Sequence, residues 1–342
     1  MRARRTGRFV GLLVIGLVVA VATAWSAGVV FFAGPGSPRA RAALAATVGV
    51  IGLAVLVSLF VRRWRWAAVV GFAGALALVT GWWSTIRPSN DRVWQPEVAV
   101  LSSATIDGDL VTVHNIRNFD YRSENDFTPR YYDRTFDLRR LDEVDLVAVY
   151  WMGPAIAHVL LTFGFGADYL AISIEARKER GEGYSTLGGF FRQYELVYIV
   201  ADERDVIRVR TNYRKDPPED VYVFRTQGPI ENGRRVFLEY MRAINGLQKQ
   251  PKFYNTLTTN CTNVILAHTQ VNPGHLPFSW KILLSGYAPE YVYESGRFGR
   301  DLPFDELKKR SHVNAAARAA DHAPDFSQRI RAGLPSRPPA VR

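Results

Sequence analysis

The chain of 342 residues has a single cysteine, Cys261. An intramolecular disulfide is therefore excluded, although paired cysteines are the usual structural use of thiols outside the cytoplasm. Histidine is also sparse, and the six (His114, His158, His268, His275, His312 and His322) show no His-Glu-x-x-His or similar ligand spacing. No metal or other cofactor is expected. The glycines of Gly181-Glu182-Gly183 and Gly188-Gly189 are not followed by Lys-Ser or Lys-Thr, so they read as a turn rather than a phosphate loop. The formal net charge of +11 is not accompanied by a helix-turn-helix or other nucleic-acid motif. Many of the arginines flank apolar runs, so an anionic membrane surface, not nucleic acid, is the expected acidic partner.

Long hydrophobic runs are present. Phe9 to Phe32, Ala42 to Val61 and Ala67 to Ile86 each approach the roughly 20 residues that a helix needs to cross a bilayer. Ala22-Thr23-Ala24 imitates a signal cleavage site, but the first run is too long for a signal and further runs follow, so a retained span is expected. Arg2, Arg4, Arg5 and Arg8 precede the first run, and Arg62, Arg63 and Arg65 fill the second link, against Arg39 and Arg41 in the first. The positive-inside rule then puts the N-terminus in the cytoplasm, and three crossings deliver the rest to the outer face. The expected organisation is a three-span anchor over 1–88 in the bacterial inner membrane, a periplasmic domain over 89–312, and a helical then disordered tail over 313–342.

The soluble part alternates like strands at Val98–Leu101, Leu110–His114, Asp145–Trp151, Ala157–Phe163, Tyr169–Glu175, Glu195–Val200 and Val221–Arg225. Arg234 to Leu247 repeats at helical spacing through Val236, Phe237, Tyr240, Ile244 and Leu247, and a second helix starts near Cys261. Pro273 to Tyr287 reads as a long loop. The pattern is α+β.

Cys261 stands where a turn-prone polar run meets the second helix. A helix N-terminus favours thiolate over thiol through its unsatisfied N–H groups and dipole. The alternative is a packed small hydrophobe. A thiol nucleophile needs a base and a group that orients the base. His158 opens an apolar strand, where imidazole packs no better than valine; the alternative is a sheet-edge histidine bonded to backbone. On the next strand Ser173 and Glu175 share one face. Glu175 is the preferred orienter and Ser173 the second, while an ion pair of Glu175 with Arg177 or Lys178 is the competing assignment. Arg117, Asp120 and Arg122 read as a structural ion-pair cluster or a groove lining.

Together, His114-Asn115-Ile116-Arg117-Asn118-Phe119-Asp120-Tyr121, Ala157 to Phe163, Ile172 to Arg177, Tyr194-Glu195-Leu196, Asp202-Glu203-Arg204-Asp205 and Tyr254 to Thr262 resemble the Lnb N-terminal periplasmic domain family, from roughly Val113 to His268. The resemblance implies a permuted papain-like (NlpC-type) domain with Cys261 as nucleophile and His158 as base. It also implies acyl transfer or thiol-dependent hydrolysis on an envelope lipid or lipoprotein acyl ester. Backbone N–H groups near Cys261, with Asn260 or Tyr254, would hold the oxyanion. A cell-wall peptidase or amidase and a non-catalytic envelope scaffold are the competing functions.

Overall fold

A computed structural model describes residues 2–335, with side chains from residue 9. The chain divides into two compact units, one holding the residues through Ser89 with Tyr184–Tyr194, the other Asn90–Gly183 and the residues from Glu195 on.

The first unit is built on α1 (Arg2–Ala33), α2 (Pro38–Ser58) and α3 (Arg65–Thr85). All three are long and apolar enough to cross a membrane. Ser37 caps α2, its hydroxyl accepting the Ala40 N–H at 3.3 Å, and Pro38 takes the first helical position, where a missing N–H costs nothing. At Gly52 a Cβ would fall 2.2 Å from the Thr23 hydroxyl, so α1 and α2 meet as closely as they do only because that side chain is absent. Trp25 and Trp83 pack edge to face at 5.5 Å. Phe191 stacks on Phe32 at 5.4 Å, and the Arg192 guanidinium lies 3.9 Å from the Trp83 ring centroid. The glycine-bearing stretch read as a turn thus leads into a segment that packs on the helices.

The second unit carries an eight-stranded sheet and a small ribbon. Its strands are β1 (Ser103–Asp107), β2 (Leu110–Arg117), β3 (Asp120–Tyr121), β4 (Phe127–Thr128), β5 (Tyr131–Asp137), β6 (Glu143–Tyr150), β7 (Ala157–Phe165), β8 (Asp168–Arg177), β9 (Glu195–Asp202) and β10 (Asp220–Arg225). The sheet runs β1-β2-β9-β8-β7-β6-β10, with β5 also on β2 and β3-β4 apart. One face carries a core of Val147, Leu160, Ala171, Val197, Val223 and Phe326. It lies under α4 (Glu203–Arg208), the π turn Val209–Tyr213, α10 (Asn314–Ala319) and α11 (Phe326–Arg329). The other face takes α5 (Ile230–Lys249) and α6 (Cys261–Thr269), with Phe237 on Phe163 at 5.2 Å. α7 (Trp280–Leu283), α8 (Ala288–Glu294) and α9 (Phe304–Arg310) complete it.

Two local expectations are corrected. Val98–Leu101 is not a strand: Pro96–Val98 is a 3₁₀ turn, and the Arg177 guanidinium binds the Val98 and Ala99 carbonyls. The long loop contains α7, because Ser279 caps Lys281 N–H. The segment from Val313 forms α10 and α11, and Phe326 and Ile330 are buried in the core. The end of the expected disordered tail, 336–342, lies outside the described residues.

Candidate functional site

The site lies where the β7–β8 ladder opens. Pairing of these strands runs from Phe165↔Asp168 to Leu161↔Ile172 and stops, whereas β8 stays paired with β9 as far as Arg177↔Glu195. The first residues of β7 therefore keep β6 on one side and lose β8 on the other. α6 enters at this opening. Asn260 is its N-cap, its side-chain oxygen accepting the Asn263 N–H at 2.9 Å. The backbone N–H of Val159, in the amide that joins His158 to Val159, and those of Thr262 and Cys261 lie near enough to the Cys261 sulfur to favour its thiolate. Orphan donors of a helix start thus converge on the thiol.

His158 projects on the side of Leu160 and Ala171, while Val159 turns toward α6. Its Nε2 is 2.6 Å from Ser173 Oγ, the Ser173 hydroxyl donates to Glu175 Oε1 at 2.8 Å, and Arg210 Nη2 donates to the same oxygen at 3.0 Å. Direct contact of His158 is with Ser173; Glu175 Oε1 stands 3.8 Å away, behind the hydroxyl. Glu175 does not pair with Arg177, which holds backbone carbonyls, or with Lys178, which faces Glu97 at 3.8 Å. His158 stands where β7 has lost β8, but its Nε2 bonds the Ser173 side chain and not backbone.

Proton accounting assigns the tautomer. Burial pushes the Glu175 carboxyl up, but Arg210, His158 and Arg214 together outweigh it and hold the group well below the usual carboxylate range. Glu175 is therefore an acceptor only, and the single Ser173 proton goes to it. Ser173 Oγ must then accept from Nε2–H, which leaves His158 Nδ1 with the free lone pair. Burial, with Arg210 and Arg214 adding to it and Glu175 opposing, pushes the imidazole down to about 3. Burial also pushes the Cys261 thiol up, against the backbone N–H groups that favour thiolate. Burial outweighs the pull of those N–H groups toward thiolate, so thiol and imidazole are both neutral at rest.

The remaining named residues have other work. Asn260 Nδ2 donates to the Thr256 carbonyl at 2.7 Å, so this amide braces the turn ahead of α6. Tyr254 is buried in the same turn. Arg117 binds Asp205 through Nε and Nη2 (2.7 Å) and Arg122 binds Asp126, which makes both structural. Glu203 and Asp205 of the Asp202–Asp205 run are fully buried in ion pairs. Sequence reasoning missed Arg210, Arg214 and Glu219. They sit on or just beyond the π turn, an insertion that often marks functional sites, and Arg214 Nη1 binds Glu219 at 2.8 Å behind Arg210. No periodic signal in Val209–Tyr213 announces them.

Beside the opening lies an apolar cleft of about 320 Å³ between α5, α6 and the β6–β7 hairpin. Val144, Val159, Leu161, Val236 and Ile265 line it, and Thr262, next to the thiol, reaches its wall. Among the described residues no group of three or more His, Cys, Asp or Glu side chains is placed to hold a metal.

The state of His158 makes stability pH-dependent. Its value in the fold lies below the ordinary 6.5, so the unfolded chain binds the extra proton first as pH falls. The stabilisation is complete above about pH 6.5 and is lost progressively toward pH 3. Thermal unfolding of the full chain in detergent should therefore lose midpoint more steeply from pH 7 to 4 than unfolding of His158→Gln. Equal slopes would contradict a buried neutral imidazole.

Neither the curated proteins nor the solved structures give a match to the chain. Residues 127–286, which include β7, β8, the π turn and α6, match the family model described as Lnb N-terminal periplasmic domain. With three helices able to span a membrane ahead of it, the chain fits a membrane-anchored protein with a periplasmic domain. Over residues 127–286 the chain is thus similar to the Lnb N-terminal periplasmic domain family.

Proposed function

We propose that the protein is a periplasmic cysteine acyltransferase or thiol hydrolase acting on an acyl ester of an envelope lipid or lipoprotein. In this reading the domain is papain-like in permuted order, with the base on β7 and its support on β8 ahead of the nucleophile helix α6. The observation that carries it is the connected line Arg210–Glu175–Ser173–His158. This line ends next to the Val159 N–H, one of the backbone groups that act on the Cys261 sulfur.

Because both groups rest neutral, attack and proton transfer are coupled. The Cys261 S–H proton passes to His158 Nδ1 through the opening in the ladder as sulfur bonds to the ester carbonyl carbon. The growing imidazolium is stabilised through Nε2–H, Ser173 and the ionised Glu175. The carbonyl oxygen draws on backbone N–H groups at the start of α6. His158 then returns the proton to the departing alcohol, leaving a thioester, and an amine or water resolves it with His158 again as base. The apolar cleft beside Thr262 takes the acyl chain.

Nitrophenyl esters of increasing chain length test this directly. Each methylene buried in the cleft is worth ~0.8 kcal/mol, so kcat/KM should rise by up to about fourfold per methylene until the cleft is full, and only with Cys261 present. A flat chain-length series, or turnover that survives Cys261→Ala, would contradict the proposal. Release of stem-peptide fragments from peptidoglycan instead would transfer the site to a wall peptidase.

A further inference from the structure

α7 carries four large apolar side chains turned to solvent: Phe278 just ahead of it is 61% exposed, Trp280 56%, Leu283 38% and Leu284 just behind it 40%. Ile282 faces inward instead and is buried. From Leu276 to Pro289 the chain has no carboxylate and one cation, Lys281, which Glu290 and Glu294 of α8 hold at 3.3 and 2.7 Å. Met152, 64% exposed, belongs to the loop to which this segment is tied. The ties are Gly286 N–H to the Ala155 carbonyl (2.9 Å) and the Ser285 hydroxyl to the Ala157 N–H (3.1 Å). Exposed aromatic and aliphatic side chains around a segment that has no acid of its own, its one lysine neutralised from α8, have the composition of an element that lies in a membrane interface.

The connectivity of the unit says what covers it. Ser285 and Ala157 mark one end of the sheet, the end at which β8 finishes at Arg177 and β9 begins at Glu195. The chain passes to and from the spanning unit at this same end. Asn90, the first residue of the domain, is hydrogen-bonded to Arg177, and the segment Tyr184–Tyr194 lies between β8 and β9. Only Ile86–Ser89 separate α3 from Asn90, a link of at most about 14 Å when extended. The chain links to the candidate spans thus leave the domain at the sheet end to which Ser285 is tied.

We infer that Phe278, Trp280, Leu283 and Leu284, with Met152, form an interfacial anchor that inserts into the headgroup region of a lipid bilayer. This goes beyond the catalytic reading and stands without it. Were both correct, the opening at His158 would face the lipid, since Thr262 Oγ1 is bonded to the Ile282 carbonyl at 2.8 Å and the patch and thiol move as one body.

The test uses the full chain carrying Cys261→Ser, so that an introduced cysteine is the sole one. Phe278→Cys is labelled with an environment-sensitive fluorophore and reconstituted in phosphatidylethanolamine and phosphatidylglycerol vesicles, with and without brominated acyl chains. Ala167→Cys, in the exposed β7–β8 turn at the opposite sheet end, is the control. Bromine should quench the label at 278 by about twofold or more and leave the label at 167 unchanged. Adding Trp280→Asp should relieve that quenching. Equal quenching at the two sites would overturn the proposal. So would a blue-shifted label at 278 that bromine does not touch, the signature of a protein partner or a second copy. Activity is not read, so failure of the catalytic proposal leaves this result unaffected.

Discussion

Cys261→Ala is expected to abolish turnover, and His158→Ala nearly so, while the two residues behind the imidazole should separate from each other. Ser173 makes the direct bond to Nε2 and fixes both the orientation and the tautomer of the ring. Without it, Nδ1 is no longer held as the acceptor, and Ser173→Ala should lower kcat on the order of 10²-fold, the low end of what a positioned acid–base group supplies. Glu175→Gln keeps an acceptor for the Ser173 hydroxyl and loses only the charge that stabilises the imidazolium, so its loss should be smaller. It also leaves Arg210 with Glu219 as its remaining carboxylate, at 3.4 Å. Near-normal kcat in Ser173→Ala would remove the hydroxyl from the relay. A Glu175→Gln chain that loses its fold, not its rate, would make Glu175 a structural partner of Arg210.

The largest effect on stability is expected away from the site. Arg331 is buried and binds Asp145 at 2.9 Å and both oxygens of Glu203 at 2.7 and 2.8 Å, with the Ser327 carbonyl as a third partner. Thr162 adds its hydroxyl to Glu203 at 2.6 Å. Arg331→Met would remove the cation that compensates two buried carboxylates on β6 and α4. Breaking such a buried pair costs about 3–5 kcal/mol, because the desolvated partner charges remain. That is a large share of the total stability of a domain. The variant should unfold at markedly lower denaturant in detergent. An unchanged midpoint would mean that the C-terminal segment is dispensable to the fold.

That network also shows where reading the sequence stops. Arg331 lies 186 residues from Asp145, and nothing in the Ala- and Arg-rich tail indicates a buried partner. The tail looks separable because its local composition is that of an exposed helix, whereas Phe326 and Ile330 complete the core on one sheet face. The spans were legible because hydropathy over some 20 residues is a strong signal. So were the central strands and α5, whose periods of 2 and 3.6 are undisturbed. Around Asn115 the period breaks because this residue has φ +58° and the β2 register shifts between Val113 and Ile116. At the site, alternation alone puts Ser173 and Glu175 on one face, and their bond bears that out. Which of the two meets His158 depends on the splay of β7 from β8, a tertiary feature. The charge states were further out of reach: a helix start promises a thiolate, but the burial that reverses it comes from the sheet and from α6 seating itself in the opening.

The acyl-enzyme is the most direct test of the function proposed for this domain. Full-length protein is incubated in vesicles with a phospholipid carrying an isotopically labelled acyl chain, quenched in acid, and digested for mass spectrometry of the peptide containing Cys261. The expected result is a labelled acyl group on that sulfur in wild type, labile to hydroxylamine as a thioester is, and absent in His158→Ala. Wild-type peptide that stays unmodified with both phospholipid and lipoprotein donors would contradict a thiol-borne acyl intermediate and leave Cys261 as a packed side chain.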